Sequence, residues 1–170
     1  MQKDDYGRLI QWFREHPGYK KALIIGNCVI TYLFPLSYVA LLIAYGIGQK
    51  PELARALMVP LDSFLILSVA RYLINRPRPY EKFNFEPVIS KDTKGKSFPS
   101  RHVFSVFVIA VAASLLSPVA TAALCLAGLV MAYIRVVGGV HFPRDVIAGA
   151  LIGVISGAIG LAIWRGLVPA

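Results

Sequence analysis

The sequence predicts an all-α integral-membrane bundle of about five transmembrane helices, preceded by an amphipathic helix. Three observations indicate this fold class. Apolar residues make up 56% of the 170 residues and the mean hydropathy is +0.62, which is more apolar surface than a soluble chain of this length can bury. Five long stretches are nearly free of charge, as membrane-spanning helices are. The charged residues are concentrated in the N-terminal segment and in one loop, residues 76–101.

The net charge of +9 does not indicate a nucleic-acid-binding protein. Such a domain needs a polar body as well as a basic patch, and this chain has only the basic residues. Cys28 and Cys125 lie within apolar stretches, without the spacing of a disulfide framework or a metal site. We therefore expect one membrane-embedded domain over residues 1–170, with no nucleic acid, metal or cofactor.

The N-terminal segment, residues 1–21, is predicted to form the amphipathic helix. Asp4 and Asp5 suit the start of a helix. An apolar stripe follows at helical spacing, formed by Tyr6, Leu9, Ile10 and Phe13. We expect this helix to lie in the membrane interface, and the alternative is that its stripe packs on a neighbouring loop.

The five apolar stretches are predicted to be membrane spans because of their length and low charge. In chain order they cover residues 22–48, 56–75, 103–117, 119–137 and 146–164.

Two of these spans contain residues that predict contacts within the bundle. Asp62 lies in the second span, where an unpaired acid is costly, so we favour an arginine partner over contact with a lipid headgroup. The fifth span contains a glycine every four residues, at Gly149, Gly153 and Gly157. This spacing predicts a smooth ridge for close helix packing, and we favour packing within the bundle over a dimer interface.

Three short motifs lie at the ends of these spans, and the last of them combines a histidine with an acid. Arg135 is followed by His141 and Asp145, and the latter two share one helix face because they are four residues apart. A carboxylate bonded to one imidazole nitrogen fixes the tautomer. The other nitrogen is then left as a nucleophile or base.

The middle motif, Pro99-Ser100-Arg101-His102, precedes a long apolar stretch. Ser100 is expected to cap the following helix, whose free N–H groups attract a phosphate. His102 lies in the first turn, where it is expected to donate a proton to a leaving oxygen.

The first motif contains Arg71 and Arg78, seven residues apart, which are expected to reach a common anion. Guanidinium groups match phosphate oxygens in bidentate geometry and stay charged. Together with Arg135 they supply three arginines, enough to neutralise a phosphoryl group without a metal.

The other basic residues near these motifs are expected to contact anionic lipids rather than the substrate. They are Arg76, Lys82, Lys91, Lys94 and Lys96. The segment Gly95-Lys96-Ser97 is not interpreted as a phosphate-binding P-loop, since Ser90 occupies the position where that motif needs glycine.

The three motifs resemble those of the type-2 phosphatidic acid phosphatase family, which includes the vanadium-dependent haloperoxidases. The family pattern is Lys-x6-Arg-Pro, then Pro-Ser-Gly-His, then Ser-Arg-x5-His-x3-Asp. The matching segments here are Arg71-x6-Arg78-Pro79, Pro99-Ser100-Arg101-His102 and Ile134-Arg135-x5-His141-x3-Asp145. The resemblance covers residues 56–160.

This resemblance implies a metal-free reaction at one membrane face of a helical bundle. It implies that His141 attacks phosphorus to form a phosphohistidine, that Asp145 orients it, and that His102 protonates the leaving oxygen and then activates water. It further implies that the phosphate oxygens are held by Arg71, Arg78, Arg135, Ser100 and the backbone N–H of Arg101.

Three positions depart from the family pattern. Arg71 replaces a lysine and keeps the charge. Arg101 replaces a glycine, so its guanidinium is available for a second phosphate or for the headgroup. Ile134 replaces a serine and lacks a hydroxyl ligand. These departures bear on the choice of substrate more than on the class of reaction.

The membrane face of the site stays open because two arguments conflict. With five spans, 15 of the 18 Lys and Arg share the side of the motifs, which favours the cytoplasm. The resemblance implies the opposite face, since membrane members of the family usually face outward.

We therefore expect a membrane enzyme, located in a bacterial cell membrane, that hydrolyses a lipid phosphate or diphosphate. The candidate substrates are undecaprenyl diphosphate, phosphatidylglycerol phosphate and phosphatidic acid. One alternative is a non-catalytic lipid-binding or transport protein on the same scaffold, and another is vanadate-dependent oxidation as in the haloperoxidases. The expected partners are the bilayer and the lipid, and the oligomeric state stays open.

Overall fold

The computed structural model describes residues 1–48, 50–91 and 93–167, and this part of the chain is helical without any β-strand. It forms α1 (Lys3–Glu15), α2 (Pro17–Gly48), α3 (Lys50–Ile74), α4 (Pro79–Phe83), α5 (Arg101–Ala113), α6 (Pro118–Val137) and α7 (Pro143–Leu167). The predicted all-α class is confirmed. Residues 168–170 of the predicted domain lie outside the described residues.

Four of these helices, α2, α3, α6 and α7, are long and apolar enough to cross a membrane, and the chain is an integral membrane protein. The remaining apolar helix, α5, has 13 residues. At a rise of 1.5 Å per residue it is roughly 20 Å long, less than the hydrocarbon core of a bilayer. In the region of the predicted third span, 103–117, the helix covers Arg101–Ala113 and Ser117 then caps α6, so the predicted count of about five spans is approximate.

The short helix α5 lies at the centre of the bundle, with α3, α6 and α7 packed around it. Most of its apolar side chains are buried, on several sides of the helix rather than on one stripe. Burial all round is typical of a core helix.

The glycine ridge of α7 packs directly against α5. A Cβ atom at Gly149 would lie 2.6 Å from the carbonyl oxygen of Ser100, and one at Gly153 would lie 2.7 Å from that of Phe104. A Cβ atom at Gly157 would lie 2.9 Å from the Cβ of Val111. The prediction that the ridge serves packing within the bundle is confirmed.

The amphipathic helix α1 packs its apolar stripe on the protein. Ile10 and Phe13 form a cluster with Val88, and the Tyr6 ring stacks on Phe85 with 5.5 Å between centroids. This contact is the alternative that the sequence left open, packing on a neighbouring loop. The location of α1 in the membrane interface stays a prediction.

Within the described residues, Asp62 does not have the arginine partner that its sequence context predicts. Its side chain lines a mainly apolar cleft between α3 and α7, together with Ser63 and Ser156. The ion pairs found in the described residues do not include it. The cleft is also separate from the residues of the motifs, apart from Pro99.

Candidate active site

A cavity of about 510 Å³ lies where the ends of α3, α5 and α6 meet the loop of residues 84–100. Six of the eight predicted site residues line it, namely Arg71, Arg78, Arg101, His102, Arg135 and His141. The other two, Ser100 and Asp145, are buried at 0% and 1% exposure and do not line the cavity. The fold therefore brings all three motifs to one place.

The two ring nitrogens of His141 face different surroundings. Nδ1 lies 3.7 Å from Oδ2 of Asp145 and 3.5 Å from Oγ of Ser97. Nε2 lies 3.4 Å from Nη1 of Arg78, which lines the cavity. A guanidinium only donates, so this contact requires a lone pair on Nε2 and places the proton on Nδ1.

Asp145 is fixed by donors other than His141. Oγ of Ser97 donates to its Oδ2 at 2.6 Å, and the backbone N–H of Phe142 donates to the same oxygen at 3.1 Å. Its Oδ1 has no hydrogen bond within the described residues and lies 3.7 Å from Nε of Arg144. The carboxylate is thus held in place beneath the imidazole, as a group that orients a nucleophile needs to be.

Burial keeps His141 neutral. It lowers the pKa of His141 to about 4, an effect that the neighbouring Asp145 carboxylate opposes and the charge of Arg78 reinforces. Near pH 7 the imidazole is therefore neutral, with its proton on Nδ1 and a lone pair on Nε2.

Two arginines of the site are anchored on backbone carbonyls. Arg71 donates from Nη2 to the carbonyl of Lys96, while its buried Nη1 has no partner in the described residues. Arg78 donates from Nε to Gly95 at 3.1 Å and from Nη1 to Val140 at 3.2 Å. These bonds fix the guanidinium planes, which is what bidentate recognition of an anion requires.

The third arginine, Arg135, is anchored by side chains. It donates from Nε to Sδ of Met131 at 3.3 Å and from Nη2 to Oγ1 of Thr31 at 3.2 Å. Ile134, which replaces the serine of the family pattern, packs in an apolar cluster with Ile89. The lost hydroxyl is therefore replaced by packing.

The loop beside the cavity is held by two polar residues that the sequence analysis missed. Glu81 accepts from the backbone N–H of Gly95 at 2.9 Å and from that of Arg78 at 2.8 Å. Oδ1 of Asn75 accepts from the backbone N–H of Lys96 at 3.2 Å. Gly95 has a φ of +64°, so the turn uses a conformation that favours glycine. The sequence indicated a role for Glu81 only through its position shortly after the first motif.

Ser97 was also missed, because it was considered only as the end of a rejected P-loop. It is fully buried and bonds Asp145 directly. Its position close to the middle motif was the available signal, and a serine there has many structural roles.

Three of the basic residues expected to contact anionic lipids line the cavity. They are Lys91, Lys94 and Lys96, and their contact with anionic lipids stays a prediction. Arg76 and Lys82 do not line it. Burial lowers the pKa of Lys91, and the nearby Arg135 and Arg78 lower it further. The loop thus adds positive charge to the three arginines.

Ser100 and His102 lie at the start of α5. The Ser100 side chain makes no cap bond, so that prediction was wrong, and its buried Oγ lacks a hydrogen bond in the described part of the chain. The Ser100 backbone N–H donates to the carbonyl of Asp145 at 2.8 Å, which ties α5 to α7. Burial, with Arg135 and Lys91 nearby, lowers the pKa of His102.

A second cavity of about 500 Å³ lies between α2, α3 and α5. Its walls are mainly apolar and include Phe34, Leu61 and Phe64. Arg101 and His102 line both this second cavity, which we call the apolar groove, and the first, which we call the basic cavity. The polar and apolar spaces therefore meet at the first turn of α5.

Tyr6 of α1 reaches the loop that carries His141. Its Oη donates to the carbonyl of His141 at 3.1 Å, and its ring packs on Phe83, Phe85 and Phe142. Burial raises the pKa of Tyr6, which keeps the hydroxyl as a donor. The helix stripe predicted this side chain to be apolar-facing, but its bond to His141 had no sequence signal.

The described residues contain no group of three or more His, Cys, Asp and Glu that is placed to hold a metal ion. The chemistry available at the site comes from two histidines, one carboxylate and a set of fixed cations.

Comparison with known proteins identifies a matching family and two similar structures. The sequence model of the PAP2 superfamily matches residues 53–168. The crystal structure of LpxE from Aquifex aeolicus aligns with a TM-score of 0.69 and 28% identity, covering 90% of this chain and 94% of that one. A PAP2-type phosphatidylglycerolphosphate phosphatase from Bacillus subtilis aligns with a TM-score of 0.68 and 20% identity, covering 95% and 93%. No curated protein sequence matches.

Proposed function

The chain belongs to the PAP2 superfamily and is a membrane-embedded lipid phosphate hydrolase, and we propose that it works without a metal through a phosphohistidine. The observation that supports this proposal best is the orientation of His141. Its Nε2 faces Arg78 in the cavity, while its Nδ1 faces Asp145 and Ser97.

In the first step, Nε2 of His141 attacks the phosphorus of the bound lipid. The bond between phosphorus and the leaving oxygen breaks, and the electron pair stays on that oxygen. Asp145 stabilises the positive charge that develops on the imidazole. Arg71, Arg78 and Arg135 neutralise the phosphoryl oxygens, aided by Oγ of Ser100 and the backbone N–H of Arg101.

His102 is the proposed acid for the leaving oxygen. Its pKa is lowered in the empty site by burial and by the surrounding cations. A bound phosphate brings negative charge that opposes the cations, so His102 gains its proton together with the substrate. In the second step His102 accepts a proton from water, which attacks the phosphohistidine and releases inorganic phosphate.

The apolar groove gives the lipid tail a path that stays within the bilayer. It lies between α2 and α3 and opens towards the proposed leaving group at His102. We propose that the headgroup occupies the basic cavity while an acyl or prenyl tail occupies this groove. The substrate classes that fit are undecaprenyl diphosphate, phosphatidylglycerol phosphate and phosphatidic acid.

The test is phosphate release by the purified protein in detergent, measured on these three lipids with a chelator present throughout. The His141→Ala variant is expected to lower turnover by at least about 10³-fold, because the nucleophile is removed. Circular dichroism and thermal unfolding of the variant report whether its fold is retained.

A folded His141→Ala variant with full activity would refute the nucleophile assignment, and loss of activity on chelation would refute the metal-free reaction. If the wild-type protein binds these lipids but releases no phosphate, the non-catalytic lipid-binding function is favoured instead.

A further inference from the structure

The basic cavity carries more positive charge than one phosphate needs. Seven cationic side chains line it, namely Arg71, Arg78, Lys91, Lys94, Lys96, Arg101 and Arg135, and no carboxylate is among its lining residues in the described part of the chain. A phosphate monoester brings about two negative charges. The three arginines of the proposed phosphoryl site are sufficient for that group, which leaves Arg101 and the lysines of the loop.

Arg101 is placed on the side where the leaving group departs. Like His102, Arg101 lines both the basic cavity and the apolar groove. Its guanidinium carbon lies 5.5 Å from the centre of the Phe64 ring, which belongs to the groove. Because His102 is the proposed acid for the leaving oxygen, the group attached to that oxygen passes beside Arg101.

Lys91 adds a second cation close to the same place. Its charge acts on His102. The charges of four arginines act on Lys91 itself, which are, in decreasing order, Arg135, Arg78, Arg101 and Arg71. The side chain is half-buried, and the hydrogen bonds and ion pairs found in the described residues give it no carboxylate partner. A half-buried ammonium among guanidinium groups is costly unless an anion joins them.

We propose that Arg101 and Lys91 form a subsite for a phosphate on the leaving group, so that the preferred substrate is a lipid diphosphate. This inference rests on the function proposed above. The terminal phosphate occupies the site of the three arginines, and the phosphate attached to the lipid lies between it and the groove.

Hydrolysis of a lipid diphosphate at this subsite needs only water as a co-reactant. Nε2 of His141 bonds to the terminal phosphorus, and the bond from that phosphorus to the bridging oxygen breaks. The electron pair leaves on the lipid monophosphate, where Arg101 and Lys91 neutralise the charge that develops. Hydrolysis of the phosphohistidine then yields one inorganic phosphate per lipid.

The experiment compares two lipids with the same prenyl tail, one a diphosphate and one a monophosphate. We expect the wild-type protein to have the higher kcat/KM on the diphosphate. In Arg101→Gln the ratio of the two kcat/KM values is expected to fall by about tenfold or more. Arg101→Lys, which keeps the charge, should recover part of that ratio.

Lys82→Gln is the matched control, because it removes one charge from an exposed residue that does not line the cavity. Its ratio should equal that of the wild-type protein. Equal losses on both lipids in Arg101→Gln, or a wild-type preference for the monophosphate, would overturn the inference and leave the phosphatase standing. Failure of the wild-type protein to hydrolyse either lipid would overturn the proposed function as well.

Discussion

The contact between α5 and α7 and the loop of residues 84–100 are both close-packed, but they are built in opposite ways. In the helix contact, the absence of side chains at Gly149 and Gly153 brings two backbones together. The loop is instead held by polar side chains from α4 and its N-cap, since Glu81 and Arg78 bond to the backbone of Gly95.

The helix contact therefore mainly supports folding, and the loop mainly supports the chemistry of the site. The helix contact depends on shape, and shape cannot yield where the neighbouring atom is a backbone oxygen. The loop depends on polar bonds, which place charges but bury little apolar surface. Changes at the helix contact should therefore affect folding first, while changes at the loop should affect turnover in a protein that still folds.

The largest effect is expected from Gly153→Leu. The new Cβ would lie 2.7 Å from the carbonyl oxygen of Phe104, so α5 and α7 must separate. Overpacking typically costs about 1–3 kcal/mol, and occasionally more, which is a large fraction of the stability of a small domain. Thermal unfolding in detergent should show a lower Tm and a reduced folded yield.

Gly166→Leu is the control for that substitution, since it lies on the same helix and a Cβ there meets nothing within 4 Å. Its Tm should stay close to that of the wild-type protein. Equal Tm values for the two variants would show that the ridge does not set the helix spacing.

Ser97→Ala should lower turnover while the protein remains folded. The substitution removes the 2.6 Å bond to Asp145 and leaves that buried carboxylate with fewer donors. A hydrogen bond to a charged group contributes about 1.5–3 kcal/mol, so kcat should fall by about 10- to 100-fold. Phosphate release under saturating lipid measures this change.

Ser114→Ala serves as its control because that hydroxyl is exposed and bonds only the backbone of Val111. It should keep full activity. If Ser97→Ala also did so, Ser97 would have no part in placing Asp145.

The smallest effect is expected when the pH is lowered to about 5, because the charge of His141 then changes little. With a pKa of about 4, His141 stays about nine-tenths neutral at pH 5, whereas an ordinary histidine, with a pKa of 6.5, would be mostly protonated. Because the folded-state pKa is lowered, the stability linked to this group is complete above pH 6.5 and is lost as pH falls through about 4. Histidine NMR, with assignment by His141→Gln, should find the midpoint near 4, and a midpoint at or above 6.5 would contradict the buried site.

The sequence was sufficient to predict the helical class and the meeting of the motifs, for different physical reasons. Long apolar stretches can form little other than helices in a bilayer, so the class followed from composition. The glycine spacing of α7 similarly has one structural use. The end of α5 was predicted at residue 117 instead of Ala113, because the apolar composition continues beyond the last helical residue.

The parts of the site that could not be predicted depend on the path of the loop. Arg71 and His141 belong to motifs whose spacing is informative. Ser97 reaches Asp145, and Lys91 lines the cavity, only because the loop turns at Gly95. Long-range bonds such as the one from Tyr6 to His141 leave no local pattern. Polar loop contacts follow from tertiary structure, so sequence periodicity does not contain them.

The basic cavity and the apolar groove meet at Arg101 and His102. This arrangement also determines where each product goes after the reaction. On the proposed function, inorganic phosphate leaves into water, where volume dilutes it, while the lipid product returns to the two-dimensional bilayer. Inhibition by phosphate would then follow its bulk concentration. Inhibition by the lipid would follow its mole fraction among the surrounding lipids, independently of how much water surrounds the membrane.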